Sequence, residues 1–167
     1  VINSQAFGYT QIDAFDARTG QDLWRSSQIP QDMKILVSAD TMVYVASYGG
    51  TVYAIDAYTG KLAWQKSFET SDLLATSDTL YLSYNIQTTG KHGFLALRAK
   101  DGTKLWQQSF PLLNNFSNLT LLNGTLYSQN QLNDNKTGEE NTLYAFDAHT
   151  GSLHRNISLD PGPVEIA

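Results

Sequence analysis

The sequence predicts an all-β fold of four-stranded antiparallel blades arranged as a propeller, and three observations predict it. The first is a string that recurs four times. It reads Ala14, Asp16, Thr19, Gly20 and Trp24, then Ala54, Asp56, Thr59, Gly60 and Trp64. It returns as Ala96, Arg98, Asp101, Gly102 and Trp106, and last as Ala145, Asp147, Thr150, Gly151 and Arg155. The second is its period, since the four glycines are 40, 42 and 49 residues apart. A period near 40 with a turn motif and a recurring Trp is the signature of stacked sheets rather than of one ordinary core. The third is the alternation of apolar and small residues between the turns, which gives short strands of period two.

In the second repeat, residues 34–38 read as an inner strand and Ala39-Asp40 as a turn. Residues 41–47 form a second strand rich in β-branched and aromatic residues, and Gly49-Gly50 turns the chain into a third strand over 51–56. Residues 57–60 turn again, and 61–67 make the outer strand. By the same reading the blades span 1–28 (strands two to four), 33–68, 72–110 and 116–159, with a spare inner strand at 163–167. A gapless alignment of the first repeat on the second sets Val1 against Thr41, so the first blade lacks its inner strand and the spare supplies one. Such a tally closes a ring of four blades within one chain, or of eight from two chains as a homodimer; a cut from a longer chain gives the same tally.

The turn has a mechanism. Asp16, Asp56 and Asp147 can accept main-chain N–H groups two and three residues on, the threonines can add a hydroxyl, and the glycines sit where φ is positive. In the third repeat Asp101-Gly102 replaces the pattern and still turns. Trp24, Trp64 and Trp106 fall on outer strands, where each can lay its ring on the next blade and donate its N–H to a carbonyl. The alanines at 14, 54, 96 and 145 leave room for that approach. Arg155 breaks the pattern, so its junction is expected to pack less tightly or to face something else.

Composition excludes several classes. The 167 residues are 41% hydrophobic and 16% charged, which is too apolar for disorder. A formal charge of −5 with no basic cluster disfavours nucleic acid, and no apolar run is long enough to span a bilayer. Cysteine is absent, so no disulfide, thiolate nucleophile or cysteine metal site exists. Asn115, Asn118, Asn123, Asn135 and Asn156 head Asn-x-Ser/Thr triplets. No P-loop, nucleophile elbow or dinucleotide fingerprint occurs. Residues 134–140 lack the bidentate Glu of a calcium loop, and His92, His149 and His154 share no ligand spacing, so surface positions are expected for them.

The Ala-x-Asp-x-x-Thr-Gly-x-x-x-Trp string resembles the tryptophan-docking motif of quinoprotein propellers, the pyrroloquinoline quinone (PQQ)-like repeats. The resemblance covers essentially the whole chain and implies an eight-bladed ring girdled by docked indoles. Members fall into PQQ- and calcium-dependent alcohol or sugar dehydrogenases and cofactor-free binding or scaffolding proteins, and the docking motif serves both. No motif outside the repeats matches a quinone or metal site. The expectation is therefore a non-catalytic module without a cofactor, acting outside the cytoplasm on a protein or small ligand. A fragment of such a dehydrogenase is the alternative. Two segments longer than the basic repeat, 85–93 and 130–141, emerge on one face as loops; Tyr84, His92, Asp134 and Glu140 are the candidates for a partner-binding edge.

Overall fold

The computed structural model describes residues 2–6, 9–26, 29, 32–86, 91–110, 116–134 and 138–158, with backbone alone over 2–6, 9–11, 85–86, 117, 130–134, 138–141 and 158. The described residues form fifteen strands in four antiparallel sheets and no helix. Blade 1 holds β1 (Ile2–Ala6), β2 (Tyr9–Phe15) and β3 (Asp22–Ser26). Blade 2 holds β4 (Met33–Ala39), β5 (Met42–Ser47), β6 (Thr51–Asp56) and β7 (Leu62–Ser67). Blade 3 holds β8 (Thr70–Ala75), β9 (Thr79–Ile86), β10 (Lys91–Arg98) and β11 (Lys104–Ser109). Blade 4 holds β12 (Phe116–Leu122), β13 (Thr125–Asp134), β14 (Gly138–Asp147) and β15 (Leu153–Ser158). Each sheet runs in chain order, and the inner strands β4, β8 and β12 stand side by side. This is the propeller plan of four antiparallel blades. The spare strand at 163–167 lies outside the described residues.

Period-two patterning explains the core. Each sheet sends alternate side chains into two different interfaces. In blade 3, Leu80, Leu82, Tyr84, Leu95 and Leu97 pack back on Tyr44, Ala46, Val52 and Ala54 of blade 2. Its other face sends Tyr81, Phe94 and Ala96 forward against Phe116, Leu126, Tyr144 and Phe146 of blade 4. Blade 2 turns Val43, Val45, Tyr53 and Ile55 back on Ile12 of blade 1. The hydrophobic core is thus a series of separate layers between blades. The layer between blades 3 and 4 is aromatic: Phe94 lies 4.4 Å from Phe116 and 4.8 Å from Phe146, centroid to centroid. Such tilted and edge-on pairs add to the area they bury.

A polar pin crosses the same interface. Asp72 on β8 accepts the Leu119 N–H of β12 at 2.8 Å, beside a bulge where Asn118 takes a φ of 58°. Asp72→Ala leaves that N–H unpaired at a half-buried site. The expected loss is roughly 1–3 kcal/mol by chemical denaturation, with the sheet signal in circular dichroism unchanged.

Two expectations are corrected. The gapless alignment implied Ile2 opposite Asp16, but Ile2 pairs with Asp13 and Ala6 with Tyr9. Tyr9 and Thr10 are good strand formers and extend β2, so this ladder lies three residues out of the expected register, whereas blade 2 keeps Ala46 opposite Val52. The long segments are also less loop than ladder. β9 and β10 stay paired out to Ile86 and Lys91, and β13 and β14 out to Asp134 and Gly138, without a bulge. The inserted residues lengthen the two ladders.

Candidate functional site: blade junctions and the hairpin face

The recurrent residues meet at the junctions. Asp16 accepts the N–H groups of Arg18 and Thr19 at 2.9 and 2.8 Å. Asp56 does the same for Tyr58 and Thr59 at 3.1 and 2.8 Å, and Asp147 for His149 and Thr150 at 2.9 and 2.7 Å. The Thr59 and Thr150 hydroxyls donate to the same carboxylates. In the third repeat Asp101 takes over, accepting the Thr103 N–H at 2.9 Å and pairing with Arg98 at 3.3 Å. The four glycines have φ between 67° and 74°, and the ladder slips one residue after each recurring alanine. The bulge turns the following strand so that the residue four beyond the glycine faces the next blade.

That residue is the indole. Trp24 Nε1 donates to the Ala57 carbonyl at 2.7 Å, Trp64 to Ala99 at 3.0 Å and Trp106 to Ala148 at 3.0 Å. Tyr44 donates to the Ala99 carbonyl as well, at 3.2 Å, and its burial, aided by the Asp40 charge, pushes its phenol up to about 12. Each ring closes on a glycine: a Cβ on Gly60 would fall 2.6 Å from Trp24, and one on Gly151 2.6 Å from Trp106. Ala14, Ala54 and Ala96 sit directly across the ladder from their tryptophans, and Ala145 across from Arg155. Ala14, Asp16, Gly20, Trp24 and their counterparts are therefore one docking device repeated along the chain. Arg155 is exposed and makes no such contact among the described residues.

The turn carboxylates carry a pH dependence. Asp56 is held below the ordinary 3.8 chiefly by the Thr59 hydroxyl, then by its N–H; Asp16 and Asp147 chiefly by the backbone N–H groups of Thr19 and Thr150; Asp101 chiefly by the Thr103 side chain. A carboxyl lowered on folding stabilises above its unfolded value, and that contribution disappears as pH falls through the folded value. The melting temperature is expected to be insensitive to these groups between pH 7 and 5 and to fall below about pH 4. Asp56→Asn should shallow that acid limb.

The second candidate region is the face carrying the hairpins between second and third strands. A cavity of about 360 Å³ opens there between blades 2 and 3, lined by Gly50, Ser67, Phe68, Glu69, Tyr84 and Gln107 among others. A neighbouring cleft of about 270 Å³ adds Lys34, Tyr48 and Ser71, and Gly50 and Glu69 border both. Tyr48 is 76% exposed, and the Lys34 ammonium lies 5.8 Å from the centre of its ring. Asp32 braces this tip, accepting the Gly49 N–H at 2.7 Å while its carbonyl takes that of Tyr48. Sequence reasoning missed this cleft, because Tyr48, Phe68 and Glu69 sit in ordinary turns and only the packing of two blades joins them.

The four loop candidates do not converge. Tyr84 is buried, with its hydroxyl on the Gln108 carbonyl at 3.1 Å, though it does line the larger cavity. His92 is half-buried rather than on the surface: its carbonyl receives Phe110 N–H, and its Nδ1 has no partner among the described residues. His154 stays exposed, 3.7 Å from Asp147. The side chains of Asp134 and Glu140 lie outside the described residues, and the ladder places these two near the tip of the blade 4 hairpin. Among the described residues no three His, Asp or Glu side chains converge as metal ligands would.

Fold and junctions together define a tryptophan-docked β-propeller built of PQQ-like repeats. The family described as outer membrane protein assembly factor BamB matches residues 9–166, and the chain belongs to that family. No curated protein matches it. Among solved structures it is similar to the computationally designed Ika8 protein, with a TM-score of 0.68 and 17% identity over 90% of this chain and 43% of that one. A europium-containing methanol dehydrogenase gives 0.69 and 14% over 96% and 40%. BamB from Moraxella catarrhalis gives 0.55 and 18% over 88% and 58%. At these identities the likeness is one of fold, and the chain spans less than two thirds of each of these proteins.

Proposed function

We propose that the chain is a non-catalytic propeller module that binds a protein partner on its hairpin face, outside the cytoplasm. The observation that carries this reading is the cleft between blades 2 and 3. There an exposed aromatic ring, a cation and a carboxylate frame two adjoining cavities on a rigid edge. Rigid scaffolds that present mixed apolar and polar edges are suited to recognition. The recurrent carboxylates are engaged in turn geometry, which supports a binding rather than a catalytic role. The family description, which concerns outer membrane protein assembly, supports a protein partner and an extracytoplasmic setting.

The test has two arms. Adding PQQ with calcium should give no saturable absorbance change and no dye-linked alcohol oxidation; turnover would install the dehydrogenase reading instead. Cross-linking to isolated outer-membrane assembly complexes should be lost on Tyr48→Ser with Glu69→Lys, and on grafting the 48–50 turn in place of both long hairpins. Undiminished cross-linking of both variants would overturn the binding face.

A further inference from the structure

A separate cavity, of about 440 Å³, lies between blades 3 and 4 at the end where the docking turns stand, opposite the hairpin face. Thr79, Tyr81, Leu105 and Trp106 line it from blade 3, and Gly124 and His149 from blade 4. The preceding junction supplies an internal comparison. Thr79 stands where blade 2 has Met42, since the two lie across from Arg98 and Asp56. Gly124 stands where blade 3 has Asp78, each giving its carbonyl to the alanine of the following turn, Ala148 and Ala99. Met42 packs against the core layer between blades 2 and 3. A short Thr and a residue without a side chain replace Met42 and Asp78, and that loss of volume makes the room. A Cβ on Gly124 would meet nothing within 4 Å.

The tyrosines of the two junctions differ as well. Tyr44 and Tyr81 stand alike against their indoles, at 6.0 Å and 48° for the first and 6.1 Å and 47° for the second. Tyr44 donates to the Ala99 carbonyl at 3.2 Å, whereas the Ala148 carbonyl receives Trp106 and not Tyr81. Tyr81 is 6% exposed, and its hydroxyl meets the Thr79 side chain instead. Burial raises its phenol above the ordinary 10, so it stays protonated at neutral pH. Two hydroxyls bonded to each other use one proton and leave one to donate. Beside them stand Trp106, whose N–H is already committed, and Leu105, which is 46% exposed. Apolar walls with a polar group at one corner are the usual make-up of a small-molecule site. None of the described residues that line it is Asp, Glu, Lys or Arg, so the site suits a neutral occupant.

We propose that this cavity binds a small neutral aromatic molecule bearing one hydroxyl group, a phenol. The ring packs on Leu105 and Trp106, and its oxygen accepts the proton that Tyr81 and Thr79 leave free, with His149 at the rim. A sugar would bring more hydroxyls than these few groups can partner, and each one buried alone costs affinity. The site lies away from the cleft at Tyr48 and Glu69, so it goes beyond the partner-binding reading and does not depend on it.

The probe is p-cresol, titrated into the full chain and followed by calorimetry and by NMR shifts at Thr79, Trp106 and His149. Binding should saturate with a Kd of about 1 mM or tighter, within reach of so small a molecule. Tyr81→Phe keeps the ring and should weaken binding about fivefold, the worth of one hydrogen bond. Thr79→Met should abolish it with the fold kept, because blade 2 already carries Met in that place. Toluene, which lacks the hydroxyl, should bind at least about fivefold more weakly than p-cresol. Glucose should leave the same signals unmoved, and Tyr48→Ser with Glu69→Lys should leave p-cresol binding unchanged. Failure to saturate by about 10 mM overturns the proposal. So does undiminished binding to Thr79→Met or to Tyr81→Phe, toluene equal to p-cresol, glucose shifting the same residues, or binding lost with the hairpin-face variant. Cross-linking at the hairpin face is read without p-cresol, so the two readings fail separately.

Discussion

Trp64→Ala should lower the melting temperature by roughly 6–20 °C, the largest effect expected of any single truncation. Removing a buried Trp costs about 3–5 kcal/mol, and a chain of this size loses about 2–4 °C per kcal/mol. Trp64 lies centrally: its ring is 6.0 Å from Tyr44 and rests on Gly102, and its N–H reaches Ala99. Truncation opens a void between blades 2 and 3 and leaves the Ala99 carbonyl with Tyr44 alone. Trp64→Phe separates packing from hydrogen bonding. It keeps most of the ring and should lose only about 1–2 kcal/mol. Differential scanning calorimetry of the pair checks this. An unchanged melting curve for Trp64→Ala would place the indole outside the core.

The second large effect compares one substitution at two glycines of the same conformation. Gly20 and Gly151 have φ of 71° and 74°. Gly20→Ala meets open space and should cost only the left-handed backbone penalty, about 1–2 kcal/mol. Gly151→Ala bears that penalty and also drives its methyl to 2.6 Å from the Trp106 ring and 2.7 Å from Gln108, so blades 3 and 4 must part. Overpacking of this kind adds about 1–3 kcal/mol. Urea titration in dilute solution, where any contact between copies is absent, should therefore find Gly151→Ala the weaker of the two. Equal losses would show that the indole yields freely, and the close seat would carry no specificity.

The junctions were legible because they are local and repeated. An Asp, a positive-φ glycine and a bulge fix where residue four beyond the glycine points, and the string Asp56, Thr59, Gly60, Trp64 contains all of it. Even the acceptor class could be anticipated, since only main chain is shared by every blade. The cleft at Tyr48, Phe68 and Glu69 was not legible, because it arises from two blades meeting at a fixed angle. Tyr84 misled for a related reason. Its place at a hairpin suggested exposure, but the ladder runs on to Ile86 and keeps it inside. The register of β1 failed on a gapless alignment, since Ile2 pairs with Asp13 and not with Asp16, three residues away, and every other pair of the ladder shifts with it.

Since the chain has three tryptophans and every one lies at a different seam, intrinsic emission is partitioned by location. Converting two to phenylalanine leaves a lone fluorophore watching a single gap, with no dye attached. Three such proteins, compared during denaturation, report the order in which the slices come apart.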